Sequence, residues 1–228
     1  MPLLILLGLP PTVANATNRV GVFAQSLAAV GGFKQESVPG LREALGLLPV
    51  MAAGAWVGAW FASEIPDELF GRLFAVVMLA MLPVILRNPK PAIRSEHPAD
   101  ASSSELRVHL PRPVQWLVYF GIGLYAGAIQ AGIGIPLLLA LVAAGGLDLV
   151  RANSVKVALV AVLTAVALAQ FAAAGKVLWG YGLVLAVGSA LGGYAGSRFG
   201  ARVGPRLIQP ILTIAVVAAA LRLLFWPV

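Results

Sequence analysis

Apolar positions fall into long runs separated by short polar stretches, and the lengths of those runs set the first expectation. The hydrocarbon core of a bilayer takes about 20 residues of α-helix. Runs at residues 13–33, 44–63, 69–86, 150–173, 177–197 and 206–226 suit that length. The opening MPLLILLGLPP is apolar but too short to span, and it lacks the basic leader of a signal peptide. The first long run is unusually polar, with Asn15, Thr17, Asn18, Arg19, Gln25 and Ser26 inside it.

Residues 114–146 form one apolar run that, as a straight helix, would measure about 50 Å against a core of about 30 Å. Gly132, Gly134 and Pro136 interrupt it. Glycine and proline weaken helices and free backbone groups, so a broken or re-entrant glycine-rich segment is expected. Residues 87–113 are rich in proline, serine and charge. They read as a polar linker between a first half, 1–86, and a second half, 114–228.

The halves share a pattern. VANATNRV at 13–20 aligns with VRANSVKV at 150–157, which pairs Thr17 with Ser154 and Arg19 with Lys156. GAWVG from Gly54 likewise aligns with GGYAG from Gly192. Internal duplication with a broken segment is a transporter signature. If 114–146 returns to its starting side, each half has three full spans and the halves are inverted. Eleven basic residues, from Lys34 to Arg206, then lie on the inner side and Lys176 alone lies outside. If it crosses, the division is eight against four. The positive-inside tendency favours inversion, a cytoplasmic linker and an acidic turn at 64–68 facing out.

Composition agrees with a lipid solvent: 60% of residues are hydrophobic and 11% charged, against about 25% charged in soluble domains. The net charge of +7 comes from basic residues between apolar runs, which argues for membrane topology and against nucleic-acid binding. There is no cysteine, and His97 and His109 sit in the linker, so no metal site or other cofactor is expected. No paired carboxylates or Ser/His/Asp arrangement falls within the spans, which speaks against an enzyme.

Charges within spans are costly, about 2.5–3.5 kcal/mol or more at a helix centre. Arg72 and Arg222 lie near span ends and are expected to snorkel. Arg19 and Lys156 lie deeper, with no acidic residue inside the spans to pair with. Each must meet an anion, a wet cavity or backbone carbonyls. A substrate anion would satisfy them, with Thr17, Asn18, Asn153 and Ser154 adding polar groups. Backbone N–H groups around Gly132 and Gly134 would add a helix N-terminus. These eight residues form the candidate site. Thr17 and Arg19, two apart, cannot share one face of a regular helix. Glycines at 188, 192, 196, 200 and 204 read as a packing ladder, as do Gly54 and Gly58. Trp56 is expected inside the bundle, away from the interfacial tryptophans.

The stretches GLPPTVANATNRVGVFAQSLAAVGGF, GLYAGAIQAGIGIPLLLALVAAGGLDLVRANSVKV and LAVGSALGGYAGSRFG resemble the sulfite exporter TauE/SafE family of membrane permeases. The resemblance implies a two-repeat permease of the bacterial-type cytoplasmic membrane, acting on sulfite, sulfonates or related small carboxylates. Members usually open with a glycine-rich helix ending in proline, equivalent to Tyr119–Pro136. Pro2 then stands at the end of that motif, with roughly 20–30 residues of a first broken segment outside the sequence.

The expectation is an all-α, polytopic transmembrane bundle with two inverted repeats that exports a small anion, either a sulfur oxyanion or an organosulfonate. An inside-negative potential drives anions outward by about 2.3 kcal/mol per charge per 100 mV, so no proton-relay carboxylate is needed. Expected partners are the anion, the lipid bilayer and a second copy in a homodimer. The competing reading is a membrane assembly or lipid-handling subunit, which would leave Arg19 and Lys156 at interfaces.

Overall fold

The computed structural model describes residues 1–32, 41–86, 111–145, 147, 149–203, 213–214 and 216–223, and every regular element among them is a helix. These are α1 (Pro2–Leu6), α2 (Pro11–Gly32), α3 (Leu41–Glu64), α4 (Asp67–Leu86), α5 (Arg112–Ala128), α6 (Gly134–Ala143), α7 (Leu149–Ala173) and α8 (Trp179–Val203). Helical residues 216–223 are designated α9. Gly46–Glu64 and Val155–Ala173 are long and apolar enough to cross a bilayer on length and composition alone. Residues 87–110 of the linker, with His97 and His109, lie outside the described residues, as do Gly204 and most of the expected last span.

Close contacts fix the helix directions. A Cβ at Gly54 or Gly58 of α3 would overlap the Phe120 or Leu124 carbonyl of α5. A Cβ at Gly123 or Gly127 of α5 would overlap the Met51 or Ala55 carbonyl of α3. Two G-x-x-x-G pairs thus let two parallel backbones touch, which is how helices associate where lipid removes the hydrophobic drive. In the same way Gly21 of α2 meets Leu185 and Ser189 of α8, while Gly182 of α8 meets Val20, so α2 and α8 are also parallel. Arg19 of α2 faces Phe171 near the end of α7, while Val22, one turn further along α2, lines one cavity with Val160, about three turns earlier on α7, which sets α2 and α7 antiparallel.

The start of α2 is tied to the start of α4. The Asp67 carboxylate accepts hydrogen bonds from the Thr12 N–H at 3.0 Å and the Thr12 hydroxyl at 2.6 Å. One acid in the first turn of α4 therefore satisfies a first-turn N–H of α2. Arg72, one turn on, pairs with Glu68 on the exposed surface. Arg222 reaches back and donates to the Leu6 carbonyl at the end of α1.

Two packing expectations are corrected. Among the described residues nothing lies within 4 Å of a Cβ built at Gly188 or Gly192, so no described helix packs on this part of the ladder. The side α8 turns toward α2 is the one carrying Gly182 and Leu185. Trp56 is 49% exposed beside Trp60 at 52%, because Gly54, Ala55, Gly58 and Ala59 take the inner faces of α3.

Candidate functional site

The long apolar run breaks after Ala128. The N–H groups of Ile129 and Gln130 both reach the Tyr125 carbonyl, at 2.9 and 3.1 Å, which ends α5. Gln130 (φ 63°) and Gly132 (φ 68°) then take left-handed conformations, and α6 starts at Gly134. Glycine accepts that conformation freely, while glutamine is uncommon there. Its carboxamide is tied down, with Nε2 donating to the Thr164 hydroxyl of α7 at 2.5 Å. Pro136 sits in the first turn of α6, where its missing N–H costs nothing.

α6 runs back along α5. The Tyr119 hydroxyl donates to the Ala140 carbonyl at 3.1 Å, and the Gln115 amide to the Ala144 carbonyl at 3.4 Å. The two helices therefore form an antiparallel hairpin whose ends lie together and whose tip is residues 129–133. The Tyr125 hydroxyl braces the tip by donating to the Ala131 carbonyl. Ala128 lies beside Gly58, and α3 continues past Gly58 for about 9 Å before ending at Glu64.

Arg19 supports the tip from α2. Its side chain is fully buried, with Nη1 donating to the Ala126 carbonyl at 3.0 Å and Nη2 to the Gly127 carbonyl. The Asn15 amide takes the next carbonyl, that of Ala128, at 2.8 Å. The last turn of a helix exposes carbonyls that lack partners, and its dipole is negative there. Three successive carbonyls are thus met by α2, and the charge is complemented. The guanidinium also lies over the Phe171 ring, 5.0 Å from its centroid. Its Nε has no hydrogen-bond partner.

The other expected residues divide into two groups. Thr17 is buried and accepts the Leu178 N–H at 3.1 Å, so it ties α2 to the entry of α8. α2 is regular here, and Thr17 and Arg19 leave it toward different partners. Asn18 lines the cavity beside the tip, where its oxygen accepts from the Met1 amine at 2.9 Å. Lys156 is half-buried on α7 and donates to the Asn153 oxygen at 2.7 Å. Its stem runs past the start of α6, where a Cβ at Gly134 would stand 3.9 Å from Lys156 Cδ. The side chain of Ser154 lies outside the described residues. Arg19 and Lys156 therefore attend the same hairpin at different places, one at the end of α5 and the other at the start of α6.

Beside the tip lies a cavity of 430 Å³, lined by residues 129–134 together with Asn18, Val22, Phe74, Met78, Met81, Val160 and Val216 among others. A second, of 460 Å³, lies between α4 and the hairpin and shares Met81, Gly132 and Ile133 with the first. No group of three or more His, Cys, Asp or Glu side chains that could hold a metal occurs among the described residues.

The family model for the sulfite exporter TauE/SafE matches residues 1–223. The chain belongs to the TauE/SafE family. It is similar to a Sinorhizobium protein named "Probable membrane transporter protein ORF9", 27% identical over all of this chain and 84% of the relative. A "Probable membrane transporter protein" of Haemophilus influenzae is 26% identical over 94% of this chain and 80% of its own length. The protein YfcA of Escherichia coli K12, again named a probable membrane transporter, is 24% identical over 99% of this chain and 80% of its own. No solved structure matches. Membership of TauE/SafE makes the chain a membrane permease by class.

In this TauE/SafE chain four side chains escaped the sequence reading: Asn15, Tyr125, Gln130 and Thr164. Asn15 was visible as a polar residue in an apolar run. Gln130 left a weaker trace, as a polar residue two positions before the glycines of the break. Tyr125 and Thr164 left none, since both are common in apolar helices.

Proposed function

We propose that the protein is a carrier that moves a small anion, a sulfur oxyanion or organosulfonate, outward across a bacterial-type cytoplasmic membrane, and that the anion binds at the start of α6. One observation carries this reading. The Lys156 stem lies against Gly134 at the N-terminus of α6, where the helix dipole is positive too. A cation is unfavourable at that end of a helix, and its hydrogen-bond partner, Asn153, is neutral. An anion joining ammonium and helix end removes the conflict, and helix N-termini bind oxyanions through their N–H groups. The N-terminus of α6 carries no side-chain cap.

In this reading Lys156, Gly132 and Gly134 touch the anion, Asn153 orients the ammonium, and Asn18 adds to the polar rim. Arg19 acts with Thr17 and Asn15 as a positioning residue, holding α5 so that α6 starts where it does. The chain comprises two inverted halves, residues 1–86 and 114–228, joined by a cytoplasmic linker and crossing the membrane several times. Three features support inversion and a re-entrant hairpin. The helices bearing Arg19 and Lys156 run antiparallel. The packing of α2 on α8 is matched by that of α7 on α3. The hairpin has both ends on one side.

The test is transport of sulfite and small sulfonates by the full chain in proteoliposomes at matched protein levels. Lys156→Gln should reduce transport about tenfold or more, the loss expected for a charge-assisted hydrogen bond. Lys156→Arg should retain more, keeping the charge but changing its geometry. Unchanged transport by Lys156→Gln would sink the anion site.

A further inference from the structure

The cavity at the hairpin tip is roomier and more apolar than an inorganic oxyanion requires. Its 430 Å³ lies within the range of about 300–1,000 Å³ found for pockets that take organic ligands. Beyond the tip itself its walls are mainly Val22, Phe74, Met78, Met81, Val160 and Val216. Among the described residues the polar groups of its lining are the Met1 amine and the Asn18 and Gln130 side chains; the amine donates to Asn18, and Gln130 donates to Thr164. A bare sulfite ion here would give up its water for hydrocarbon over most of its surface, which burial of charge forbids without compensating partners. An organic anion would present charge only at one end and apolar surface to the rest.

The second cavity extends the same surface. It lies across Met81, Gly132 and Ile133, and its other walls include Val77, Val118 and Ile122. The divide between the two spaces is narrow, because the Met81 sulfur sits 2.8 Å from where a Cβ of Gly132 would stand. Methionine is unbranched and flexible, and methionine-lined surfaces adapt to apolar bodies of differing shape. Met78 and Met81 both line the first cavity.

Resting on the anion-carrier reading above, we propose that the transported anion is amphiphilic, a sulfonate-type head at the start of α6 with an alkyl body laid along Val22, Val160 and Met81. The energetic consequence is a dependence on chain length that a site built for sulfite would lack. Each methylene withdrawn from water favours binding about fourfold.

The full chain is reconstituted in phosphatidylethanolamine–phosphatidylglycerol vesicles, and entry of methane-, butane- and hexanesulfonate is followed, with leak into protein-free vesicles subtracted. The half-saturating concentration should fall about fourfold per methylene until the cavity is full. The double variant Val22→Thr/Val160→Thr, which keeps side-chain shape but adds hydroxyls to the wall, should flatten the series. Transport of methanesulfonate with equal or weaker affinity for the longer members overturns the amphiphile proposal and leaves the carrier standing. Carriage of sulfite but of no sulfonate overturns the amphiphile proposal alone, and failure of folded protein to carry either sulfite or a sulfonate of any length removes both.

Discussion

The two helices that carry the paired sequence motifs end up in opposite conditions. On the α2 and α3 side the polar and small residues are largely used up: Arg19 is buried with both terminal nitrogens on α5 carbonyls, and Gly54 and Gly58 are filled by the α5 backbone. On the α7 and α8 side the counterparts are more open: Lys156 is half-buried on a neutral asparagine, and Gly192 meets none of the described residues. Residues alike in type and spacing thus divide into one set that builds the frame and one left free to meet something else. Chemistry belongs with the free set, because a group already satisfied gains little from a ligand.

Substitutions can break this contrast. The largest effect is expected at Gly58→Leu, where a side chain must displace the Leu124 carbonyl and the Ala128 amide of α5. Overpacking of this kind costs about 1–3 kcal/mol or more, and here it pushes on backbone, so loss of folded protein in detergent extracts is expected. A normal yield of stable protein would show that α3 and α5 are not in contact. Next comes Arg19→Leu, which leaves two buried carbonyls without partners at about 1–3 kcal/mol each. Thermal unfolding in micelles should move down by a matching amount, with Arg19→Lys between the two. Equal stability of Arg19→Leu and parent would erase the frame-building role of α2.

Lys156→Gln sharpens the contrast from the other side. Its stability should stay within about 0.5 kcal/mol of the parent, as for a surface change, while transport falls as stated above. A variant that loses stability and keeps transport would place Lys156 in the frame with Arg19. The smallest effect is expected at Gly192→Ala, again within about 0.5 kcal/mol, because no described residue stands within 4 Å of the new methyl. A marked loss there, measured by the same unfolding assay, would mean that something packs on α8 after all.

The helices and the break were legible because lipid enforces them. A run near twenty apolar residues has few alternatives, and a run too long for the bilayer must break at its glycines. Gly132 and Pro136 accordingly bracket the start of α6. The partners of Arg19 were not legible. Backbone carbonyls are the same for every residue, so nothing in Ala126 or Gly127 marks them as acceptors, and only the position of the helix end does. The ladder of α8 failed for a related reason. Glycine at every fourth residue states that a face is smooth, but not whether a neighbour lies against it. Gln130 was hidden because its role depends on a backbone conformation that its side-chain chemistry does not favour.

The reach of Arg19 also bears on how the chain is made. Its carbonyl partners lie 107 and 108 residues further along. Synthesis proceeds at about 5–20 residues per second, so α2 leaves the ribosome roughly five to twenty seconds before α5. Throughout that interval the guanidinium has no helix end to rest on, and α2 is a poor candidate for release into lipid by itself. Until α5 is made, α2 carries an uncompensated cation that costs about 2.5–3.5 kcal/mol at the centre of a membrane helix.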